Sequence, residues 1–492
     1  MRKKLAALLR DCEKKFQDHP AFAFCDEEEV RQVSFREFLE DVENRRAVYR
    51  EIWEERIGLW AGNSYRWIVA ATSLLLEGKT VVLLDANLMD EDARWLCSST
   101  DTQMVIAEEE MLEAEQELGL PMRSIDEKEV RARAGVDDAF EGISADGAAF
   151  DGMACDVLTS ANPAEGSFIC FTSGTSKSAK GVVIDVETLC GCVRNYGEVV
   201  KGKTGQKFYL PLPYHHIYAF LYIFHLMYFG GTQCIGQMGR YFIRDMEMMR
   251  PHIIFTVPSM LRYMLEKDFF PQQLQAILCG GSYLRPEVGE QIREKGVTLY
   301  NLYGSSEVLG AIAYSTPEKG NQWLRPVSGN RFFLNERGEL GVELPYHMRE
   351  YYQKPDETAE VLDRENHVFW TGDAADMDGD GYVRIRGRVR DMIVLENGEK
   401  VHAEDTNTQL CQIPGVKDGA VIGVDGQLIA VLIPQDGISK EHLAGAVRKF
   451  NRTRSAAVRI RDVWIYGKTF PRTNTGKLRR FLLEKEYRER EQ

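Results

Sequence analysis

Ten consecutive residues hold the densest chemistry in the chain: Thr172-Ser173-Gly174-Thr175-Ser176-Lys177-Ser178-Ala179-Lys180-Gly181. They follow the apolar run Phe168 to Phe171 and precede what reads as a helix. Hydroxyls, glycines and lysines at a strand-to-helix turn are what a polyphosphate requires: free backbone donors, close approach without a Cβ, and positive charge. A Walker A loop needs a second Gly directly before its Lys and a Ser or Thr directly after it; here those positions hold Ala179 and Gly181, so a P-loop ATPase fits poorly. Two other clusters look chemical and are read as structural. Asp376-Met377-Asp378-Gly379-Asp380-Gly381 opens like a calcium loop, but Gly387 stands where the bidentate Glu is needed, so a turn between strands is expected. Cys190 and Cys192 have no second Cys or His pair at matching spacing and are read as buried thiols.

The elements that must position such a loop alternate along the chain. Strand-like runs at Ile57 to Ala61, Thr80 to Leu84 and Met104 to Ala107 are separated by helical patterns at Tyr65 to Leu76 and Asp90 to Cys97. The rhythm resumes at Phe168 to Phe171, Phe208 to Leu212, Ile253 to Val257, Ala276 to Cys279 and Thr298 to Leu302, after a connection at Arg131 to Glu165 that lacks periodicity. The expected fold class is α/β, with parallel sheets covered by helices and ligands in the crevices at the carboxyl ends of strands. Beyond about residue 386 the strands shorten, a hairpin begins and a charged helix closes the chain at Leu478 to Arg490. The expectation is therefore a large domain over 1–386, a joint at 387–391 and a small α+β domain over 392–492.

The first loop resembles the phosphate-binding signature of the adenylate-forming superfamily, which includes acyl-CoA synthetases, firefly luciferase and nonribosomal-peptide adenylation domains. The usual form is Thr-Ser-Gly-Thr-Thr-Gly-x-Pro-Lys-Gly, from which this chain departs at Ser176, Lys177 and Ala179. Four further motifs follow in family order, so the resemblance spans about Ala21 to Arg480. Cys279-Gly280-Gly281-Ser282 resembles the turn where the backbone approaches nucleotide and acyl group, and Asn301-Leu302-Tyr303-Gly304-Ser305-Ser306-Glu307 resembles Tyr-Gly-x-Thr-Glu. Thr371-Gly372-Asp373 with Gly387-Arg388 is the third, and Pro471-Arg472-Thr473-Asn474-Thr475-Gly476-Lys477 matches the C-terminal Pro-x-x-x-x-Gly-Lys signature.

The resemblance implies roles residue by residue. Thr172, Ser173, Gly174, Thr175 and Lys180 cradle the ATP phosphates, with Lys180 also catalytic. Gly280, Gly281, Ser282, Asn301, Gly304 and Ser306 line the nucleotide, and Tyr303 stacks on adenine. Glu307 holds Mg2+, Asp373 and Arg388 hold the ribose, and Lys477 reaches the carboxylate and α-phosphate as charge builds up. Arg390 is the hinge about which the small domain turns between adenylation and thiol transfer, after which the loop Met392 to His402 lines the thiol channel. His216 and Gly281 border the acyl pocket.

The segment Pro211 to Phe220 resembles fatty acyl-CoA synthetases, and no Asp lies between Leu210 and Arg244 to pair with an amino acid's ammonium. The expected reaction is ATP-dependent activation of a carboxylic acid, a fatty acid first among candidates, followed by thioester formation with coenzyme A. A ligase that loads the phosphopantetheine of an external carrier protein is the near alternative, and an inactive nucleotide-binding protein is the alternative of another class. The bulk properties agree with a cytoplasmic enzyme. A charge of -14 argues against nucleic acid, ten scattered cysteines suggest reduced thiols, and Ile217 to Phe229 falls short of the roughly 20 residues that span a bilayer.

Overall fold

A computed structural model describes residues 4–125, 166–172, 179–195, 202–237, 239, 241–397, 399–472 and 478–491. The chain divides into two compact units, the first made of Met1–Asn321, Val327–Asn330 and Leu344–Ala359, the second of Gln322–Pro326, Arg331–Glu343 and Glu360–Gln492.

The first unit carries two sheets. One runs in the order Thr298–Ser305, Ala276–Cys279, Ile253–Thr256, Lys207–Leu210, Thr232–Ile235, Pro20–Asp26, Glu29–Ser34. It is parallel from Thr298–Ser305 through Pro20–Asp26 and antiparallel at its last pair. The other runs Glu350–Tyr351, Gly181–Asp185, Ser167–Phe171, Thr80–Leu84, Arg56–Trp60, Met104–Ala107, Met122–Ser124. Its strands are short, largely apolar and buried along most of their length, as expected of strands covered on both faces.

The helices begin where local chemistry satisfies their first N–H groups. Ser34 and Glu37 form a reciprocal capping box on Phe35–Tyr49, and Ser64 Oγ accepts from Trp67 N–H at the head of Tyr65–Leu76. Between these two helices the fully buried guanidinium of Arg46 donates to Glu77 and Glu43, each at 2.7 Å. Removing Glu77 would leave the buried Arg46 with Glu43 as its remaining counter-charge and an Nε–H without its acceptor.

One expectation fails here. The phosphate loop is followed by a strand and no helix: Gly181–Asp185 pairs antiparallel with Ser167–Phe171, from Phe171 opposite Gly181 to Ser167 opposite Asp185. The run Gly-Val-Val-Ile-Asp is β-branched and has an edge to pair with, so it completes a hairpin; the helix Val186–Asn195 starts only afterward, carrying buried Cys190 and Cys192.

The second unit opens with antiparallel strands in the order Arg331–Leu334, Glu339–Glu343, Val368–Met377, Val383–Arg388. The aspartate-rich stretch is the turn of the last hairpin: Asp378 Oδ1 accepts from the N–H groups of Asp380 and Tyr382, and Gly381 takes φ +80°. A small hairpin, Met392–Val394 with Lys400–His402, leads to a three-stranded sheet, Val416–Val424, Gln427–Pro434 and Ile460–Ile465. Leu410, Val421, Leu432 and Leu443 are at its core, with helices Ala403–Cys411 and Lys440–Asn451 packed there. Among the described residues no helix is long and apolar enough to cross a membrane.

Candidate active site

Within the first unit, the base of the phosphate loop is closed by two hydrogen bonds. Lys180 N–H donates to Thr172 Oγ1, and Thr172 N–H donates to the Lys180 carbonyl, both at 3.0 Å. Ser173, Gly174 and Thr175 between them, like Lys477 of the C-terminal motif, lie outside the described residues.

The Lys180 side chain emerges from that base and has two partners the sequence did not single out. Its ammonium is 2.5 Å from Glu357 Oε2 and 4.5 Å from the ring centroid of Tyr351. Hydrogen bonds from Lys180 and then Lys354 hold the Glu357 carboxyl below the usual carboxylate range. Tyr351 turns its hydroxyl the other way and donates to Glu307 Oε1 at 2.7 Å. One buried aromatic ring thus carries the loop's cation on its face and the motif's carboxylate on its edge. The backbone makes this possible: Met348 N–H donates to the Glu307 carbonyl at 2.6 Å, and Glu350–Tyr351 pairs with Val182–Val183 just beyond the loop.

Glu307 follows the strand Thr298–Ser305, and its neighbours are tightly drawn. A Cβ on Gly304 would lie 1.5 Å from the carbonyl oxygen of Gly310 on the antiparallel strand Gly310–Thr316, so only glycine passes there. Ser305 Oγ is buried with no hydrogen-bond partner among the described residues. Burial, reinforced by the nearby Glu307 charge, pushes the Cys170 thiol up to about 12, leaving it neutral beneath the carboxylate. Carboxylate and hydroxyl oxygens beside a lysine suit a hard divalent cation and an oxyanion together. Asn301 is anchored separately, its side-chain amide donating to Asn321 O at 2.8 Å.

At the carboxyl end of Ala276–Cys279, Gly280, Gly281 and Ser282 form the next turn, with Gly281 at φ +82°, where a side chain would strain the backbone. His216 caps the buried helix Ile217–Tyr228, and its ring lies 4.2 Å from that of His215. Asn63 fixes the preceding loop by donating to Leu212 O and Gly236 O and accepting from Tyr214 N–H. His215 approaches Asp85 at 3.6 Å, and burial, with His216 adding to it, holds the imidazole below its ordinary range.

The second unit contains the other predicted group. Asp373 and Arg388 face each other across the Val368–Met377 and Val383–Arg388 hairpin, with Arg388 Nε 3.1 Å from Asp373 Oδ1 and its Nη1 donating to Thr371 O at 2.7 Å. Arg390 stands in a short 3-10 turn, Val389–Asp391, its side chain 85% exposed. Together with Met392, Val394, Arg480 and Phe481 it borders a pocket of about 480 Å³.

Comparison with known proteins accounts for this arrangement. Residues 9–352 match the AMP-binding enzyme family, and residues 390–490 match the AMP-binding enzyme C-terminal domain. The long-chain-fatty-acid–CoA ligase FadD13 of Mycobacterium tuberculosis is 24% identical over 347 residues, 65% of this chain and 67% of its own length. The 2-succinylbenzoate–CoA ligase of Bacillus licheniformis is 24% identical over 449 residues, 86% of this chain and 87% of its own. Among solved structures, the O-succinylbenzoate coenzyme A synthetase of Bacillus subtilis in complex with AMP superposes with a TM-score of 0.79 at 17% identity, covering 97% of this chain and 98% of that one. With two family models matched in order and the same fold throughout, the chain belongs to the AMP-binding enzyme family, the adenylate-forming superfamily, and is an AMP-forming acid–thiol ligase.

Proposed function

We propose that the chain converts a fatty or other non-amino carboxylic acid into its coenzyme A thioester, using ATP and magnesium. The acid's carboxylate attacks the α-phosphorus, pyrophosphate departs, and the coenzyme A thiol displaces AMP from the mixed anhydride. Lys180 and the hydroxyls of its loop hold the phosphates, Glu307 holds the metal, and Asp373 and Arg388 take the ribose. Tyr303 takes the adenine, and Lys477 neutralises charge at the α-phosphate. Magnesium supplies charge neutralisation on the departing pyrophosphate. Arg390, exposed in its turn, is the hinge between the two half-reactions. A cytoplasmic setting supplies both ATP and coenzyme A.

The observation that carries this reading is the Tyr351 ring, which keeps the Lys180 ammonium and the Glu307 carboxylate on fixed sides before any ligand arrives. Relatives named as a long-chain-fatty-acid–CoA ligase, a feruloyl-CoA synthase and a 2-succinylbenzoate–CoA ligase support a non-amino acid, although a nonribosomal peptide synthetase is also among the similar proteins. A screen of acid-dependent ATP–pyrophosphate exchange over fatty, aryl and amino acids tests it, followed by thioester formation with coenzyme A or a phosphopantetheinylated carrier. Exchange with non-amino acids and transfer to coenzyme A are expected. Exchange with amino acids alone, transfer to the carrier alone, or no exchange at all would each end the reading.

Tyr351→Phe keeps the ring under Lys180 and removes the hydrogen bond to Glu307. The magnesium concentration giving half-maximal exchange should rise roughly 10-fold, as when a metal ligand loses its orienting partner, with the rate at saturating magnesium near that of the parent. An unmoved magnesium requirement would show that the phenol does not orient the carboxylate.

A further inference from the structure

We propose that the Tyr218 phenol sets the reach of the acid, so that the preferred substrate is compact: a short-chain or single-ring carboxylic acid. This deepens the function just proposed and rests on it. In parallel sheets ligands lie outside the carboxyl ends of the strands. Here those ends bring together the loop ending in His216, the Gly280–Ser282 turn and the segment leading to Glu307. An acid whose carboxylate is delivered beside Glu307 must extend its remaining atoms into this crevice.

The floor of the crevice is filled. The Tyr218 hydroxyl donates to the Leu278 carbonyl at 3.0 Å, which pins the ring across the strand Ala276–Cys279. A Cβ added at Gly280 would already lie 3.3 Å from that ring and 3.4 Å from the Leu302 side chain. Behind Tyr218 the aromatic contacts continue, edge-on to Tyr222 at 5.7 Å and to Phe255 at 6.3 Å, with Tyr222 and Phe255 themselves 4.4 Å apart and fully buried. Along the helix Ile217–Tyr228, every residue other than Tyr218 and Tyr228 is buried, so the apolar run forms the core of the unit and offers no open channel along its length. A long alkyl chain would have to displace the phenol, break its hydrogen bond and part a close-packed aromatic cluster, whereas a chain of a few carbons or one ring stops against it.

The experiment is a chain-length profile of kcat/KM in ATP–pyrophosphate exchange, from acetate to palmitate, with benzoate added, for the parent chain, Tyr218→Ala and Tyr218→Phe. The parent should favour the short or aryl acids over palmitate by roughly 100-fold or more, the scale of discrimination a filled hydrophobic pocket provides. Tyr218→Ala should move the optimum to longer acids, and Tyr218→Phe, which keeps the ring but loses the hydrogen bond that pins it, should shift the profile the same way by a smaller amount. If Tyr218→Ala does not fold, the parent and Tyr218→Phe profiles still decide. A parent that uses palmitate as well as hexanoate, or a Tyr218→Ala profile identical to the parent's, overturns the inference and leaves the ligase reading standing. Exchange with no acid at all overturns the ligase reading and this inference with it.

Discussion

Replacing Lys477 by alanine should lower acid-dependent ATP–pyrophosphate exchange by about 100- to 1000-fold, while coenzyme A still reacts with a supplied acyl-adenylate at close to the parent rate. The asymmetry follows from the assigned role. In the first half-reaction a carboxylate and a triphosphate meet, and a positioned cation is worth most where negative charge is densest, in a site that excludes water. In the second, a thiol attacks a mixed anhydride and that crowding has passed. Stopped assays of pyrophosphate release and of thioester formation from synthetic acyl-AMP separate the two. Equal loss in both would make Lys477 a structural residue, and no loss in either would remove it from the chemistry.

The largest effect on stability is expected from Gly304→Ala. The new methyl would lie 1.5 Å from Gly310 O, 2.5 Å from Gly310 C and 2.8 Å from Ala311 Cα. All three are backbone atoms, so no rotamer change relieves the overlap; the strands Thr298–Ser305 and Gly310–Thr316 must separate. A cost of about 3–5 kcal/mol is expected, at the upper end for a single substitution. Gly379→Ala is the comparison, because its Cβ meets nothing within 4 Å and its φ is not in the left-handed region. Denaturant midpoints measure the difference. If the two variants shift alike, the strand pair bearing Tyr303 and Glu307 is looser than its geometry indicates.

The parts of the molecule written in short-range pattern were legible. Thr80–Leu84, Met104–Ala107, Ala276–Cys279 and the helix Tyr65–Leu76 occur at the boundaries their periodicity predicts, because apolar runs of that length between turn residues have one sensible burial. The partner of the phosphate loop was misread, since Gly181–Asp185 becomes a strand only by pairing with Ser167–Phe171 and Glu350–Tyr351, and the latter lies more than 160 residues away. Tyr351 and Glu357 were missed for the same reason. Nothing in Glu350-Tyr351-Tyr352 marks a carboxylate's partner until a two-residue strand carries it to the loop. The motif residues were readable because family order identified them, but what holds them in place is long-range packing.

Arg386 links to Asp376 at 3.1 Å and to Asp405 at 2.6 Å, carboxylates that stand on opposite sides of Arg390 along the chain. A swivel at Arg390, the hinge proposed above, would part the Arg386–Asp405 pair, which is partly exposed and worth about 1 kcal/mol or less. With Arg390 as the proposed hinge, a clasp of that strength would open at little cost in each turnover, and ionic strength would tune how quickly one half-reaction follows the other.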